Sequence, residues 1–355
     1  MSTTSAALSV PRCPVAHSHA DVTRALLDPA TFSSAVSAHL AVPSGIDPPD
    51  HADYRRIVDK YFSPERMTAV EPKLRAIAVE MISGFPATGE VDFMLKVAES
   101  FALRAQCAFL GWPVELHEPL RHWMRRNRSA TRRKDRTAMA TVAFDFDRHI
   151  REVLGSRRDT NEIDVASQLL REQFRGRPLT DEEIVSILRN WTVGELATIS
   201  ACVGILAHYI AIVGPLQSQL RANPAQLPAA IDEILRIHAP LQSSRRITTA
   251  PVEIGGCVLA AGERIALDWA SANRDDRVFE SPLAFRLDRD PGLNLLYGAG
   301  IHVCPGAPLA RLELRVLMEE LLARTELAPA SGRQPIEALY PASGFASCPL
   351  QVRMR

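Results

Sequence analysis

Residues 295–313 read LLYGAGIHVCPGAPLARLE and place one cysteine, Cys304, in a glycine-rich turn that leads into an apolar-periodic segment. Gly298, Gly300 and Gly306 allow tight turns and a close approach of the backbone to a flat ligand, because glycine has no Cβ. A thiolate at a helix start is favoured by the helix dipole and by free amide groups, which lower the pKa of a cysteine. The stretch predicts one metal-binding sulfur rather than a zinc cage, since it contains no C-x-x-C pair.

The composition is that of an ordinary globular protein. The 355 residues are 46% apolar and carry 41 basic and 41 acidic side chains. This balanced charge gives no indication of nucleic-acid binding. The first residues are polar and lack the basic region of a secretory signal. The six cysteines are scattered without a disulfide framework, which fits a reducing cytoplasm. We therefore expect a cytoplasmic protein.

Helical periodicity dominates the first two thirds of the chain, and alternation follows Pro240. After a loop-rich start at residues 1–20, the pattern predicts helices at residues 22–27, 51–62, 72–208 with interruptions, and 225–237. It predicts strands at residues 246–258, turning at Gly255-Gly256, and at 264–268. The expected fold is mainly α with small β-sheets.

Residues 191–214 are long and apolar enough to be considered as a membrane span. Glu195 lies near the start of this segment and His208 lies inside it, and the flanks show no strong Lys/Arg asymmetry. These features favour a buried central helix, and we expect no membrane partner.

The Cys304 stretch resembles the haem-binding signature of the cytochrome P450 superfamily, F-G-x-G-x-H-x-C-x-G. Every fixed position matches except the first, where Tyr297 replaces phenylalanine. The resemblance implies one domain over residues 1–355, haem b as cofactor and Cys304 as the axial ligand of its iron. An axial thiolate pushes electron density into iron and favours O–O cleavage. The alternative is a buried structural cysteine in a glycine-rich loop.

Two further motifs match the same family. Glu233 and Arg236 stand at i and i+3, as in the family's E-x-x-R, where the pair binds an arginine that precedes the cysteine loop. Arg286 or Arg289 is suitably placed to be that arginine. The resemblance gives this group a structural role, whereas the bare pattern alone is equally that of a solvated surface pair.

Four side chains are predicted to bind the two haem propionates, because charge-assisted hydrogen bonds to carboxylates are strong. The sequence DPPDHADYR resembles the family's D-P-P-E-H-x-x-x-R and supplies His51 and Arg55 on one helical face. Arg246 matches the propionate arginine of the family, while strand alternation points its neighbour Arg245 the other way. His302 is the fourth candidate.

The central helix departs from the family pattern [A/G]-G-x-[D/E]-T, since residues 194–198 read GELAT. Thr198 keeps the alcohol, Ala197 replaces the acid, and Glu195 replaces the glycine. Glu195 and Thr198 lie one turn apart on one face, and desolvation would raise the pKa of Glu195. Three interpretations stay open: Glu195 supplies protons, acts as acid–base on hydrogen peroxide, or has a structural or substrate-pairing role.

Two segments are predicted to line the substrate site by their position in the family. Their candidate residues are Leu241, Gln242, Ser243, Ser244 and Phe345. The segment between Ala35 and Asp47 is short for the family, which predicts an open or small site.

Two basic stretches suggest charged partners. Residues 121–136 form either a solvated helix face or a capture surface for an anionic substrate or acidic carrier protein. Four side chains form a predicted basic patch on the proximal face, where the resemblance implies that an acidic ferredoxin or flavodoxin docks: Arg56, Lys60, Arg311 and Arg315.

The sequence thus predicts a haem-thiolate monooxygenase that inserts one oxygen atom from O2 into a small apolar organic molecule. The chain contains no flavin or iron–sulfur segment, so electrons would come from a separate ferredoxin-type protein. A peroxide-driven peroxygenase on the same scaffold is the alternative enzyme. A non-catalytic haem-binding sensor is the alternative of another class.

Overall fold

The computed structural model describes residues 14–160, 162–340 and 342–355. The loop predicted for residues 1–20 lies largely outside this part of the chain. Within the described part the prediction is wrong, because Val15–Ala16 forms a strand and a helix begins at His19. Ser18 caps that helix by accepting a hydrogen bond from the amide of Asp21.

Helices make up most of the described chain, as the sequence predicts. They are α1 (His19–Leu27), α2 (His51–Asp59), α3 (Pro64–Ser83), α4 (Glu99–Leu110), α5 (His117–Arg133), α6 (Arg136–Arg157), α7 (Val165–Leu169), α8 (Asp181–Ile212), α9 (Gly214–Ala222), α10 (Leu227–His238), α11 (Trp269–Ala272) and α12 (Ala307–Arg324). The helix predicted from Pro72 begins at Pro64, because Ser63 accepts a hydrogen bond from the Arg66 amide and caps it there.

Short strands form small sheets at the edge of this helical body. They are β1 (Val15–Ala16), β2 (Phe32–Ser33), β3 (Thr88–Asp92), β4 (Gln173–Phe174), β5 (Arg177–Pro178), β6 (Ser243–Thr248), β7 (Val252–Ile254), β8 (Cys257–Leu259), β9 (Arg264–Asp268), β10 (Thr325–Pro329), β11 (Ile336–Glu337), β12 (Phe345–Ser347) and β13 (Pro349–Met354). One sheet has the order β1-β9-β6-β2 and another the order β10-β13-β3. The predicted strands and the Gly255-Gly256 hairpin are present.

The central helix α8 crosses the main hydrophobic core, which it shares with α3, α4, α10 and α12. Thr180 and Glu183 begin it with a capping box, in which each side chain accepts from the amide of the other residue. In the described chain, α8 is the helix long and apolar enough to cross a membrane, with mean hydropathy 1.6, but 67% of that window is buried inside the fold. The prediction of a buried central helix is confirmed.

A buried ion triad attaches the segment before the cysteine loop to α10. Arg236 is 1% exposed and donates to both carboxylate oxygens of Glu233, at 2.7 and 2.9 Å. Arg289 donates to the same carboxylate at 2.9 Å, whereas the Arg286 side chain turns outward to Glu280 and Asp288. Arg289 is therefore the third member of the triad, and Arg286 contributes only its backbone amide.

Arg236 of the triad also contacts two backbone carbonyls in the segment that leads to the cysteine loop. Arg236 donates to the carbonyls of Asn273 and Pro282, the latter at 2.8 Å. Its guanidinium also lies 4.6 Å from the centre of the Phe279 ring. These contacts fix residues 273–289 against α10, so the triad determines where the following cysteine loop begins.

We expect Arg236→Met to lower the free energy of unfolding by about 3–5 kcal/mol, because it leaves a buried carboxylate with half of its partners. Urea denaturation measures the loss. The matched control is Arg286→Met, which removes an exposed guanidinium outside the triad and should leave the midpoint nearly unchanged. Equal losses in the two variants would contradict a structural role for the triad.

Candidate active site

The cysteine loop turns through two glycines in the left-handed region, as the sequence predicts. Gly298 has φ +73° and Gly300 has φ +69°, a conformation that side chains rarely tolerate. A Cβ on Gly300 would also lie 2.5 Å from the carbonyl oxygen of Leu26. The amide of Cys304 then donates to the carbonyl of Tyr297 at 2.9 Å, which closes the loop.

Gly306 does not share this property. Its φ is −80°, and an added Cβ would be in ordinary contact, 3.9 Å from Cys304 Sγ and 3.9 Å from the Phe62 ring. Gly306 lies in the turn between Cys304 and α12, as predicted, but the backbone there does not require glycine. Its close approach to a flat ligand stays a prediction.

The Cys304 side chain is accessible from the space between the cysteine loop and the rest of the protein. Helix α12 begins three residues later, and the nearby amides of Gly306 and Ala307 act to lower the pKa of the thiol. Burial nevertheless raises the pKa of the thiol, assisted by the charge of Glu195, so the predicted lowering is not observed. Desolvation outweighs the helix start in the absence of a bound cation.

Two histidines meet beside the loop with unsatisfied nitrogens. The rings of His51 and His302 are 4.4 Å apart in an edge-to-face arrangement. The Nε2 atom of each is buried without a hydrogen-bond partner in the described part of the chain. Burial lowers the pKa of His51 and lowers that of His302 to about 4, with Arg246 and Arg55 as further causes for His302.

Arg246 adds a buried cation to this cluster. It is 8% exposed, and no carboxylate in the described residues forms an ion pair with it. Its guanidinium donates to the carbonyl of Arg245 at 2.8 Å, and burial lowers the pKa of Arg246. Arg245 is exposed, so the predicted alternation along β6 is observed.

Arg55 holds the cysteine loop from the outside. Its guanidinium donates to the carbonyl of Val303 at 2.6 Å and to that of Ile301 at 3.2 Å, and it pairs with Asp59 at 2.8 Å. The sequence places Arg55 on the His51 face, but it does not predict these contacts. In this structure Arg55 binds the loop backbone.

The central helix α8 exposes small residues around Glu195. Gly194 and Ala197 are exposed although the neighbouring turns of α8 are buried, and Thr198 is half-buried. Glu195 lies between them, close enough for its charge to raise the pKa of Cys304. The Cys304 thiol and the small residues Gly194 and Ala197 are thus both exposed, and both neighbour the same glutamate, either along α8 or within the range of its charge.

Glu195 has a neighbour that the sequence analysis did not identify. Its carboxyl group lies close enough to that of Glu313 on α12 for its charge to raise the pKa of the Glu313 carboxyl group. Glu195 Oε1 and both Glu313 oxygens are buried without a hydrogen-bond partner among the described residues, and no hydrogen bond from Glu195 to Thr198 is found there. Burial raises the pKa of both carboxyl groups, and that of Glu313 lies well above its usual range. A sequence signal existed, because Glu313 is four residues from both Leu309 and Leu317 on the apolar face of α12.

The predicted substrate-lining segments lie side by side. Gln242 donates to the Ser343 hydroxyl at 3.0 Å, and this hydroxyl donates to the carbonyl of Ala239. Leu241 is 48% exposed, and the Phe345 ring lies 4.7 Å from the ring of His208 on α8. The structure thus brings both segments together. Ser243 and Ser244 lie on β6, where the Ser244 hydroxyl is buried without a partner in the described chain.

The predicted basic patch on the proximal face carries less free positive charge than its sequence suggests, and the docking of an electron donor there stays a prediction. Each of the four side chains is ion-paired: Arg56 with Asp53, Lys60 with Glu172, Arg311 with Asp232, and Arg315 with Glu71 and Glu319. The basic stretch on α5 is only partly neutralised, by the pairs Arg121–Glu118, Arg126–Asp145 and Arg128–Glu99.

These features fit a flat, dianionic, iron-containing group. The exposed Cys304 sulfur has two nearby amides that favour its charged form, and the exposed Gly194 and Ala197 of α8 present no large side chain to a planar ring. Unpartnered imidazole nitrogens and an arginine without an ion pair, among the described residues, lie where two carboxylates would bind. The fold and this donor set define a haem-thiolate protein.

Comparisons with known proteins agree with this assignment to the haem-thiolate proteins. The family model for cytochrome P450 matches residues 208–353. Cyclomarin C epoxidase CymV of Salinispora arenicola is 30% identical over 88% of this chain and 83% of its own length. Probable cytochrome P450 127A1 of Sinorhizobium fredii is 31% identical over 82% and 70%. The structure of cytochrome P450 CYP109Q5 from Chondromyces apiculatus superposes with TM-score 0.85, 27% identity, and coverage of 96% and 89%.

The chain belongs to the cytochrome P450 family. Its relatives are named as monooxygenases, hydroxylases and epoxidases, so it is an oxidoreductase. The cofactor of this family is haem b, whose iron is held by a cysteine thiolate. The predicted family, fold, enzyme class and cofactor are confirmed, whereas the assignment of individual site residues stays a prediction.

We expect Arg246→Met to have opposite effects on the empty and the haem-loaded protein. The variant should bind haem roughly 10- to 100-fold more weakly, because a charge-assisted hydrogen bond to a propionate is lost. The haem-free protein should become more stable, because a buried cation without a counter-charge is removed. Haem titration and denaturation of the haem-free protein measure the two effects.

Arg245→Met is the matched control, since this neighbouring side chain is exposed on the opposite face of β6. It should change neither quantity. Wild-type haem affinity in Arg246→Met would exclude Arg246 as a propionate ligand.

Proposed function

We propose that this protein is a monooxygenase that inserts one oxygen atom from O2 into a small apolar organic molecule in the cytoplasm. Two electrons come from a separate ferredoxin or flavodoxin. The observation that carries the proposal is the exposed Cys304 thiol, which lies within range of the charge of Glu195, beside the exposed Gly194 and Ala197 on α8. The haem that binds in this family supplies the activation of dioxygen.

The polypeptide holds the cofactor from two directions. Cys304 would ligate iron, and the nearby amides of Gly306 and Ala307 would favour the charged sulfur. His51, His302 and Arg246 would bind the propionates, since the Nε2 atoms of both histidines lack a partner and Arg246 lacks an ion pair among the described residues. Gly298 turns the loop with φ +73°, and Arg55 fixes the loop through the carbonyls of Ile301 and Val303.

The predicted substrate site combines apolar side chains with two polar side chains of α8. Leu241, Phe345 and Ala197 offer apolar contact, which supports an apolar substrate. Cyclomarin C epoxidase, as its name states, oxidises an organic molecule, which supports the same substrate class here. Thr198 and Glu195 hold protons and deliver them toward the dioxygen that the reaction uses, since both lie on α8 beside Gly194 and Ala197.

A peroxide-driven peroxygenase is the second candidate. The buried acid Glu195 could move a proton between the two oxygens of hydrogen peroxide, and the ion-paired proximal surface offers little free positive charge to an acidic electron donor. A non-catalytic haem sensor is less well supported, because the relatives are named for oxidation reactions.

The role of Cys304 is tested by comparing Cys304→Ala with Cys202→Ala after loading each protein with haem. Iron K-edge X-ray absorption should show sulfur scattering in the wild type and in Cys202→Ala, because Cys202 is a buried side chain within α8. The signal should disappear in Cys304→Ala. Persistence of iron–sulfur scattering in that variant would assign the ligand to another residue.

We expect Glu195→Gln to slow product formation roughly 100-fold, because general acid catalysis typically contributes two or more orders of magnitude. The assay uses a panel of small apolar compounds in two arms. One arm contains NADPH with a surrogate ferredoxin and its reductase, and the other contains hydrogen peroxide alone. A loss in the electron-fed arm identifies a proton donor for the monooxygenase, whereas a loss confined to the peroxide arm favours the peroxygenase.

Glu182→Gln, in the exposed first turn of the same helix, is the control and should retain wild-type rates in both arms. Equal rates for Glu195→Gln and wild type in both arms would leave Glu195 without a catalytic role.

A further inference from the structure

A chain of aromatic side chains leads from the cysteine loop toward the protein surface. The point that a Cβ on Gly306 would occupy is 3.9 Å from Cys304 Sγ and 3.9 Å from the Phe62 ring. The Phe62 ring meets the Trp191 ring of α8 edge-to-face, with 5.2 Å between the ring centres. The Trp191 ring lies 5.4 Å from the Tyr61 ring. Both separations are those of interacting aromatic pairs, so the rings connect the surroundings of the sulfur to Tyr61.

Two observations place Trp191 close to the proposed haem site. It contacts Phe62, which flanks the sulfur, and it stands four residues before Glu195 on the same face of α8. The charge of Glu195 in turn acts on the Cys304 thiol. The Nε1 atom of Trp191 is buried without a hydrogen-bond partner among the described residues. The indole N–H therefore has no base in that part of the chain to which it could release a proton.

The outer end of the aromatic chain does have a proton acceptor. The Tyr61 hydroxyl donates to the Glu172 carboxylate at 3.0 Å. Glu172 is also paired with Lys60, whose side chain is 50% exposed, so this end lies at the surface. Burial and the charge of Glu172 raise the pKa of Tyr61, so the phenol keeps its proton at rest. The Arg66 guanidinium, 4.7 Å from the centre of the Tyr61 ring, disfavours a positive charge on that ring.

The order of these side chains suits the movement of one electron toward the haem. Indole and phenol lose an electron far more easily than the benzene ring of phenylalanine, so Trp191 and Tyr61 are the oxidisable members. Oxidised Trp191 keeps its N–H proton and its positive charge, because no base accepts the proton. Tyr61 can lose an electron and a proton together, because Glu172 accepts the proton. Tyr61 is therefore the end of the chain at which a radical would come to rest.

We propose that Trp191 and Tyr61 carry an oxidising equivalent away from the haem when no substrate accepts it. Hydrogen peroxide takes two electrons from the bound haem and two protons from water, and forms two water molecules. Trp191 returns one electron to the oxidised haem and takes one from Tyr61. The O–H bond of Tyr61 breaks, its proton passes to Glu172, and a neutral tyrosyl radical remains. A one-electron reductant in solution, such as ascorbate, returns the electron, and Glu172 returns the proton.

This route goes beyond the proposed reaction. It requires haem at Cys304, but it does not depend on whether dioxygen with electrons or hydrogen peroxide drives turnover. Its function would be to protect the haem and the surrounding side chains from oxidation, because the radical forms beside a surface carboxylate instead of at the cofactor.

Electron paramagnetic resonance detects the radical in haem-loaded protein that is frozen directly after mixing with hydrogen peroxide without substrate. We expect a tyrosyl signal in the wild type that narrows when the protein contains ring-deuterated tyrosine. Tyr61→Phe should lose the signal, because it keeps the ring but removes the O–H bond that breaks. Tyr54→Phe is the matched control: the Tyr54 hydroxyl also donates to a glutamate, Glu183, but its ring stacks on Phe174. The signal should therefore remain in Tyr54→Phe.

Two further variants test the tryptophan and the proton acceptor. Trp191→Phe keeps an aromatic ring but removes the oxidisable indole, and should lose most of the tyrosyl signal. Its control is Trp123→Phe, because Trp123 packs between α5 and α6 and donates to the carbonyl of Val142 at 2.9 Å. Glu172→Gln still accepts a hydrogen bond from Tyr61 but cannot take up its proton, so it should lose the signal. This variant keeps the test decisive if Tyr61→Phe does not fold.

The rate at which hydrogen peroxide bleaches the haem without substrate separates a protective route from a radical without function. Bleaching should be faster than in the wild type in Tyr61→Phe and in Trp191→Phe, and unchanged in Tyr54→Phe and Trp123→Phe. Absence of a tyrosyl signal from the wild type, its retention in Tyr61→Phe, or its full retention in Trp191→Phe would overturn the route. Equal bleaching rates in all five proteins would contradict its protective function.

Discussion

The carboxylate of Glu233 is the contact on which the geometry of the site depends. It accepts hydrogen bonds from Arg236, from Arg289 and from the backbone amide of Arg286, and Arg236 continues to the carbonyls of Asn273 and Pro282. Buried charges are costly unless they are paired in this way. These contacts join α10 to residues 273–289, which form no strand. They therefore fix the position of the segment that leads to the cysteine loop.

The cysteine loop positioned in this way lies in a site where several buried charged and polar side chains have no ion-pair or hydrogen-bond partner among the described residues. Arg246 forms no ion pair with a carboxylate among the described residues, and the Nε2 atoms of His51 and His302 are buried there without a hydrogen-bond partner. Glu195 and Glu313 likewise form no ion pair with a cation in the same part of the chain, and burial raises the pKa of both carboxyl groups. Under the proposed function, haem propionates would pair with the first group.

The sequence predicted the residues that have a local signature. The Cys304 loop, the Glu233–Arg236 pair and the alternation of Arg245 and Arg246 each follow from spacing along the chain. What it did not predict depends on contacts between distant segments: the strand β3 pairs with β13, and Glu313 of α12 lies within range of the charge of Glu195. The ion pairs of the proximal patch were missed for the same reason, because the acidic partners of Arg311 and Arg315 include residues on α10 and α3.

The most direct test of the proposed reaction is the origin of the inserted oxygen atom. The haem-loaded protein is supplied with ¹⁸O₂, NADPH, a surrogate ferredoxin and its reductase, and an apolar substrate that the panel identifies. Mass spectrometry of the product should show one ¹⁸O atom per molecule. Product that contains only unlabelled oxygen, or product that forms with hydrogen peroxide but never with the electron supply, would contradict the monooxygenase.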